Sequence, residues 1–115
     1  MRTIYHLVLR GAWEQKAAGP YRADSLASEG FIHCSFAERV AWAANRFYAD
    51  AVDLLVLHMD AGRLTSPLRE EPCETGETFP HIYGPLNREA VVKVEPLTRG
   101  VDGRWQFPTS SAPQT

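Results

Sequence analysis

The sequence predicts an α+β fold. Three observations carry this. Strand-patterned segments outnumber helical ones, one segment alone has a strong helical stripe, and the connections vary too much for a regular strand–helix alternation. The chain has 115 residues, 44% of them hydrophobic and 23% charged, the composition of an ordinary globular domain. Residues 1–107 are expected to form a single α+β domain. Residues 108–115, rich in Ser, Thr, Pro and Gln, are expected to be a disordered tail.

Each element has its own signature. Residues 3–9 are β-rich and apolar on both faces, with Ile4, His6 and Val8 on one and Tyr5, Leu7 and Leu9 on the other, which places the strand inside a sheet. Residues 12–18 predict a short helix stopped by Gly19-Pro20. Asp24 or Ser25 caps a further helical turn that Gly30 ends. Residues 31–34 form a second strand, followed by Ser35-Phe36-Ala37-Glu38, which has the capping-box pattern. Phe36, Val40, Ala43, Ala44, Phe47 and Ala51 then make the best helical stripe in the chain. Residues 53–59 are the strongest strand, and a turn follows at 60–63. Residues 68–78 read as a Pro/Gly-punctuated loop with a short edge strand. Pro80 favours an extended segment over 79–83. A strand is expected at 90–94, and Asp102-Gly103 predicts a hairpin with residues 104–107.

Charge and cysteine usage exclude several functions. Twelve Lys and Arg oppose fourteen Asp and Glu, for a net charge of −2, so no basic block exists to displace counterions from a nucleic-acid backbone. No run approaches the ~18 apolar residues of a membrane span. The N-terminal apolar stretch, interrupted by His6, is too short for a signal peptide. Cys34 and Cys73 read as reduced thiols. A cytoplasmic protein with a small-molecule ligand is the expectation.

The candidate site residues come from two motifs. His33 stands at a strand end two residues before Ser35, and both can reach one polar ligand group; equally, Ser35 can be a helix cap and His33 a core histidine. His81 and Tyr83 share a face of an extended segment fixed by two Pro and a Gly, a rigid way to present an imidazole and a phenol. Arg46 can take a phosphate or carboxylate in a bidentate grip, with Asn45 beside it; a solvated helix position is the plainer reading. His6 and His58 fall on strands among aliphatic residues, where core packing is the ordinary role. Glu70, Glu71 and Glu29 are the candidate carboxylates, although Arg69-Glu70-Glu71 also reads as a solvated edge. Convergence of His6, His33 and His81 would make a three-histidine metal set. Cys34 with His81 or His6 would make a nucleophile and its base. No Gly-rich phosphate loop occurs.

The runs Asp24-Ser25-Leu26-Ala27-Ser28-Glu29-Gly30-Phe31-Ile32-His33-Cys34-Ser35, Ala44-Asn45-Arg46-Phe47-Tyr48 and Phe79-Pro80-His81-Ile82-Tyr83-Gly84-Pro85-Leu86, with Ile4-Tyr5-His6 at the start, resemble the bacterial domain-of-unknown-function family 952. The resemblance spans residues 3–97 and transfers no activity by itself. It implies a fold similar to the ADP-ribosyltransferase superfamily: a split, mostly antiparallel sheet whose halves flank an NAD-like cleft. There a His-x-Ser/Thr strand motif holds the nicotinamide-side ribose and amide, and His33-Cys34-Ser35 fits it. Cys34 stands where poly(ADP-ribose) polymerases and RNA 2′-phosphotransferases carry Gly. Glu71 is then the candidate catalytic carboxylate and Tyr83 the stacking ring. Fold analogy does not establish activity. Three functions follow as expectations: an enzyme or binder acting on an NAD-like or phosphorylated nucleotide, with His33 and Glu71 in catalysis and Ser35, His81, Tyr83, His6, Arg46 and Asn45 as ligand contacts; a non-catalytic small-ligand or protein-interaction module; or a histidine-based metal enzyme.

Overall fold

A computed structural model describes residues 2–15, 19–73 and 75–107. The expected disordered tail and the end of the first expected helix, residues 16–18, lie outside them. Two three-stranded antiparallel sheets carry the architecture. The first has the order β1–β3–β6, from β1 (Thr3–Leu9), β3 (Leu54–Asp60) and β6 (Val91–Pro96). The second has the order β2–β5–β4, from β2 (Ile32–His33), β5 (Thr78–Ile82) and β4 (Leu68–Pro72). A small hairpin, β7 (Thr98–Arg99) with β8 (Trp105–Gln106), follows the predicted turn at Asp102-Gly103. Helices α1 (Arg10–Gln15), α2 (Asp24–Glu29) and α3 (Val40–Phe47) complete the set. None is long and apolar enough to cross a membrane.

The two sheets meet at one bridge. Tyr5 N–H donates to the Ser35 carbonyl (2.9 Å) and Ser35 N–H to the Tyr5 carbonyl (2.7 Å). β1 is therefore an edge strand of its own sheet yet internal to the whole line of strands, which explains its two apolar faces. Ile4, Val8, Leu55, Leu57 and Met59 bury one face of the first sheet with Ile32, Cys34 and Ile82 of the second. Leu7, Leu54 and Val56 bury the other face beneath Val40, Ala43 and Ala44 of α3.

Three local expectations are corrected. The capping box does not form: the turn over Ala37–Arg39 is a 3-10 helix entered from Phe36, with no side-chain cap. Both backbone groups of Ser35 are committed to the Tyr5 bridge, which holds the residue in strand geometry. The long helical stripe shortens to eight residues, because a 3-10 turn has a different period and breaks the phase. Phe47, at its far end, is 66% exposed. Residues 68–72 form a true five-residue strand rather than mainly loop, and its charges suit an outer edge.

Asn45 illustrates how the hairpin is attached. Its amide donates to the Ala41 and Trp105 carbonyls (2.9 and 3.0 Å), and its oxygen accepts from Trp105 N–H (2.8 Å). It is a clamp, far from the ligand role expected of it. Asn45→Ala is expected to lower the unfolding free energy by about 2 kcal/mol, since it strands a backbone donor and an acceptor; urea denaturation followed by Trp fluorescence measures this.

Candidate functional site

Strand alternation sorts the second sheet into an inner and an outer face. Ile32, Cys34, Pro80 and Ile82 are buried inward. The alternate residues, Phe31 and His33, Arg69 and Glu71, and Phe79, His81 and Tyr83, share the opposite face. Register brings them together. His33 lies directly across from His81, and His81 from Arg69. Gly30 lets the chain turn from α2 into β2: it caps the helix at φ 93°, in the left-handed region, with its N–H on the Ser25 and Leu26 carbonyls. That turn puts Glu29 back over His33.

Four polar contacts define the cluster. His81 Nδ1 lies 2.8 Å from Glu71 Oε1, and the Tyr83 hydroxyl donates to the same oxygen at 2.6 Å. His33 Nε2 lies 3.1 Å from Glu29 Oε1. Arg69 sits over the Tyr83 ring, its guanidinium carbon 5.1 Å from the centroid. Phe31 floors the site, stacked on His81 at 4.1 Å and edge-on to His33 at 4.8 Å. The two imidazole centroids are 5.4 Å apart. His33 is half exposed and His81 mostly covered, with side-chain exposures of 54% and 13%.

The protonation pattern follows from the partners. The hydrogen bonds from Tyr83 and His81 hold the Glu71 carboxyl below the usual range, and the same Glu71 contact raises the Tyr83 phenol. Glu71 is then an anion and Tyr83 a neutral donor at neutral pH. A carboxylate only accepts, so each imidazole presents an N–H to it: His81 through Nδ1, His33 through Nε2. This leaves His81 Nε2 and His33 Nδ1 without a partner among the described residues. Two carboxylate-anchored imidazoles side by side can accept and donate protons at neighbouring points.

Of the sequence-derived candidates, His33, His81, Tyr83 and Glu71 come together, with Glu29 behind His33. The others stand elsewhere. Ser35 is buried at the bridge between the sheets. Asn45 clamps the hairpin. Arg46 is at the end of α3, its guanidinium 5.7 Å from the Phe47 ring, lining a concavity of about 650 Å³ with Leu9, Tyr48 and Val52. His6 faces the core and is 6% exposed. Its Nδ1 lies 2.6 Å from the His33 carbonyl, so it donates there, and its Nε2 accepts from the Tyr21 hydroxyl at 3.0 Å. It therefore does not converge with His33 and His81, and the three-histidine metal set does not assemble. Among the described residues no group of three or more His, Cys, Asp or Glu is placed to hold a metal ion. Glu70 pairs with Arg2. Cys34 lies on the inner face, its thiol pushed up by burial, which removes it as a nucleophile for His81; Cys34 and Cys73 are both free. His58 packs against Tyr5 and Phe107 as expected of sheet packing. Its Nε2 is 3.3 Å from Glu95 Oε1, yet is not aligned to hydrogen-bond it.

Phe31 and Arg69 are the site members that sequence reasoning missed. Each is two residues from a residue already chosen, His33 and Glu71, so period-two alternation was the available signal.

The family described as "Protein of unknown function (DUF952)" matches residues 7–94. Solved structures of protein CC0527 from Caulobacter crescentus are similar. Its crystal structure is 30% identical, over 90% of this chain and 93% of that one, with a TM-score of 0.82. Its solution NMR structure is 30% identical, over 92% and 93%, with a TM-score of 0.78. No curated protein matches the chain significantly.

Buried His6 makes stability depend on pH. Burial lowers its pKa from 6.5 to about 4. The unfolded chain then binds the proton more readily than the folded one. His6 therefore causes no loss above pH ~6.5 and destabilises progressively as pH falls towards 4, by about 3 kcal/mol in all. Urea midpoints across that window should fall in the native protein and fall less steeply in His6→Gln.

Proposed function

The chain belongs to the DUF952 family, and from that premise we propose that it binds an NAD-like or ADP-ribosyl nucleotide on the outer face of β2–β5–β4 and catalyses transfer or hydrolysis at its ribosyl centre. The observation that carries this is the anionic Glu71 carboxylate, held by His81 and Tyr83 on the same face as His33. The two antiparallel sheets joined at one bridge also agree with the split sheet that an ADP-ribosyltransferase-like fold would have.

The roles follow from the chemistry. The bond between the anomeric carbon and the leaving base breaks, and its electron pair departs with the base. Positive charge grows on the ribosyl ring, and Glu71, ionised and fixed by two donors, offsets it. His33 is the more exposed imidazole. Its Nδ1 takes the proton of the incoming water or acceptor hydroxyl as the new carbon–oxygen bond forms. Phe31 and Tyr83, each already in contact with a neighbour on the ring, leave the ligand's planar group their remaining surface. Ser35 takes no part, because it is buried.

Calorimetric titration with NAD and with ADP-ribose tests the reading. Binding of either in the micromolar to millimolar range is expected, and no heat or thermal shift up to about 10 mM of both overturns it. His33→Ala should abolish that binding while changing stability by only about 0.5 kcal/mol, as its side chain is half exposed; a large fall in Tm with binding intact would make His33 structural. Glu71→Gln should keep binding and lose about 100-fold or more in turnover, followed by release of the free base.

A further inference from the structure

Arg69, His81 and His33 occupy paired positions across three adjacent strands. At the usual inter-strand spacing this row is about 10 Å long. All three groups can carry positive charge, but they are not equally compensated. His81 is anchored by Glu71 and His33 by Glu29. Arg69 forms no close ion pair among the described residues; its charge reaches Glu71 and helps hold that carboxyl low, but His81 and Tyr83 make the hydrogen bonds to it. What positions Arg69 is the Tyr83 ring, over which its guanidinium lies. A ring contact fixes the guanidinium plane and leaves its N–H groups unspent. Those donors match phosphate oxygens in a bidentate fork. The remaining ring nitrogens of His81 and His33 are acceptors and leave the phosphate to Arg69.

Resting on the ribosyl-ligand reading above, we propose that Arg69 is the specificity-determining residue for phosphate. The ligand is a phosphorylated nucleotide whose phosphate or pyrophosphate lies against Arg69 at the β4 end of this row, and the corresponding nucleoside is discriminated against. Arg46, the arginine that the sequence offers for this role, lies at the end of α3, in a concavity that includes none of these residues.

The test titrates the native protein and Arg69→Gln with nicotinamide mononucleotide, nicotinamide riboside and inorganic pyrophosphate. The native protein should bind the mononucleotide at least about tenfold more tightly than the riboside, and R69Q should erase that ratio by weakening the mononucleotide more than the riboside. Pyrophosphate should compete in the native protein and not in R69Q. Equal affinity of the native protein for the two nicotinamide compounds, or a ratio that survives in R69Q, overturns the proposal and leaves the ribosyl reading standing. If neither nicotinamide compound binds, the ribosyl reading falls and pyrophosphate alone decides: binding lost in R69Q upholds the phosphate contact at Arg69, and no binding to the native protein overturns it.

Discussion

The His6 imidazole is the contact on which the site's geometry depends. β2 is two residues long and has little stability of its own. Its position is imposed from behind: His6 Nδ1–H donates to the His33 carbonyl, and the Tyr5–Ser35 bridge closes two residues later. A buried imidazole is tolerable because both nitrogens are used, one giving to a carbonyl and one receiving from Tyr21. Fixing that carbonyl inward leaves the His33 side chain on the outer face. An aliphatic residue at position 6 would keep the packing of β1 and lose this link between the sheets.

Electrostatics in the cluster are local. The chain as a whole is slightly acidic, so it exerts no long-range pull on an anion. Glu29 and Glu71 each face an imidazole, and Arg69 adds charge at one end of the row. The outer face thus combines compensated groups that orient with one less compensated group that can attract. His33, Glu29 and Arg69 are exposed to water, so the charged contacts made there are screened and depend on salt.

Much of the fold is legible in the sequence where burial is two-sided or periodic. Residues 3–9 and 53–59 show their strands through apolar residues on both faces, and Asp102-Gly103 marks its hairpin. The shortening of α3 is not legible, since a 3-10 turn is compatible with the same residues. His33, His81 and Tyr83 stand out because rigid Pro/Gly punctuation surrounds the last two and a helix start follows the first. Glu71 is selected only as one carboxylate among several, and Arg69 only as part of a charged run. Both sit on β4, whose polar sequence hides its pairing. Ser35, Asn45 and His6 show the converse. Their residue types suit ligand contacts, but backbone geometry engages each one inside the protein, and pattern alone does not reveal which backbone groups need a partner.

β4 is the outermost strand of its sheet, and it carries Arg69 and Glu71 of the cluster. Strand edges are among the first elements to open in native-state fluctuations. When β4 detaches, Glu71 and Arg69 leave together, while His81 stays behind on β5. The Glu71–His81–Tyr83 arrangement is therefore a property of the closed edge, present for only as long as five residues of β4 remain paired. A ligand spanning β4 and β2 would staple that edge shut, so affinity and the local stability of the sheet are one linked quantity.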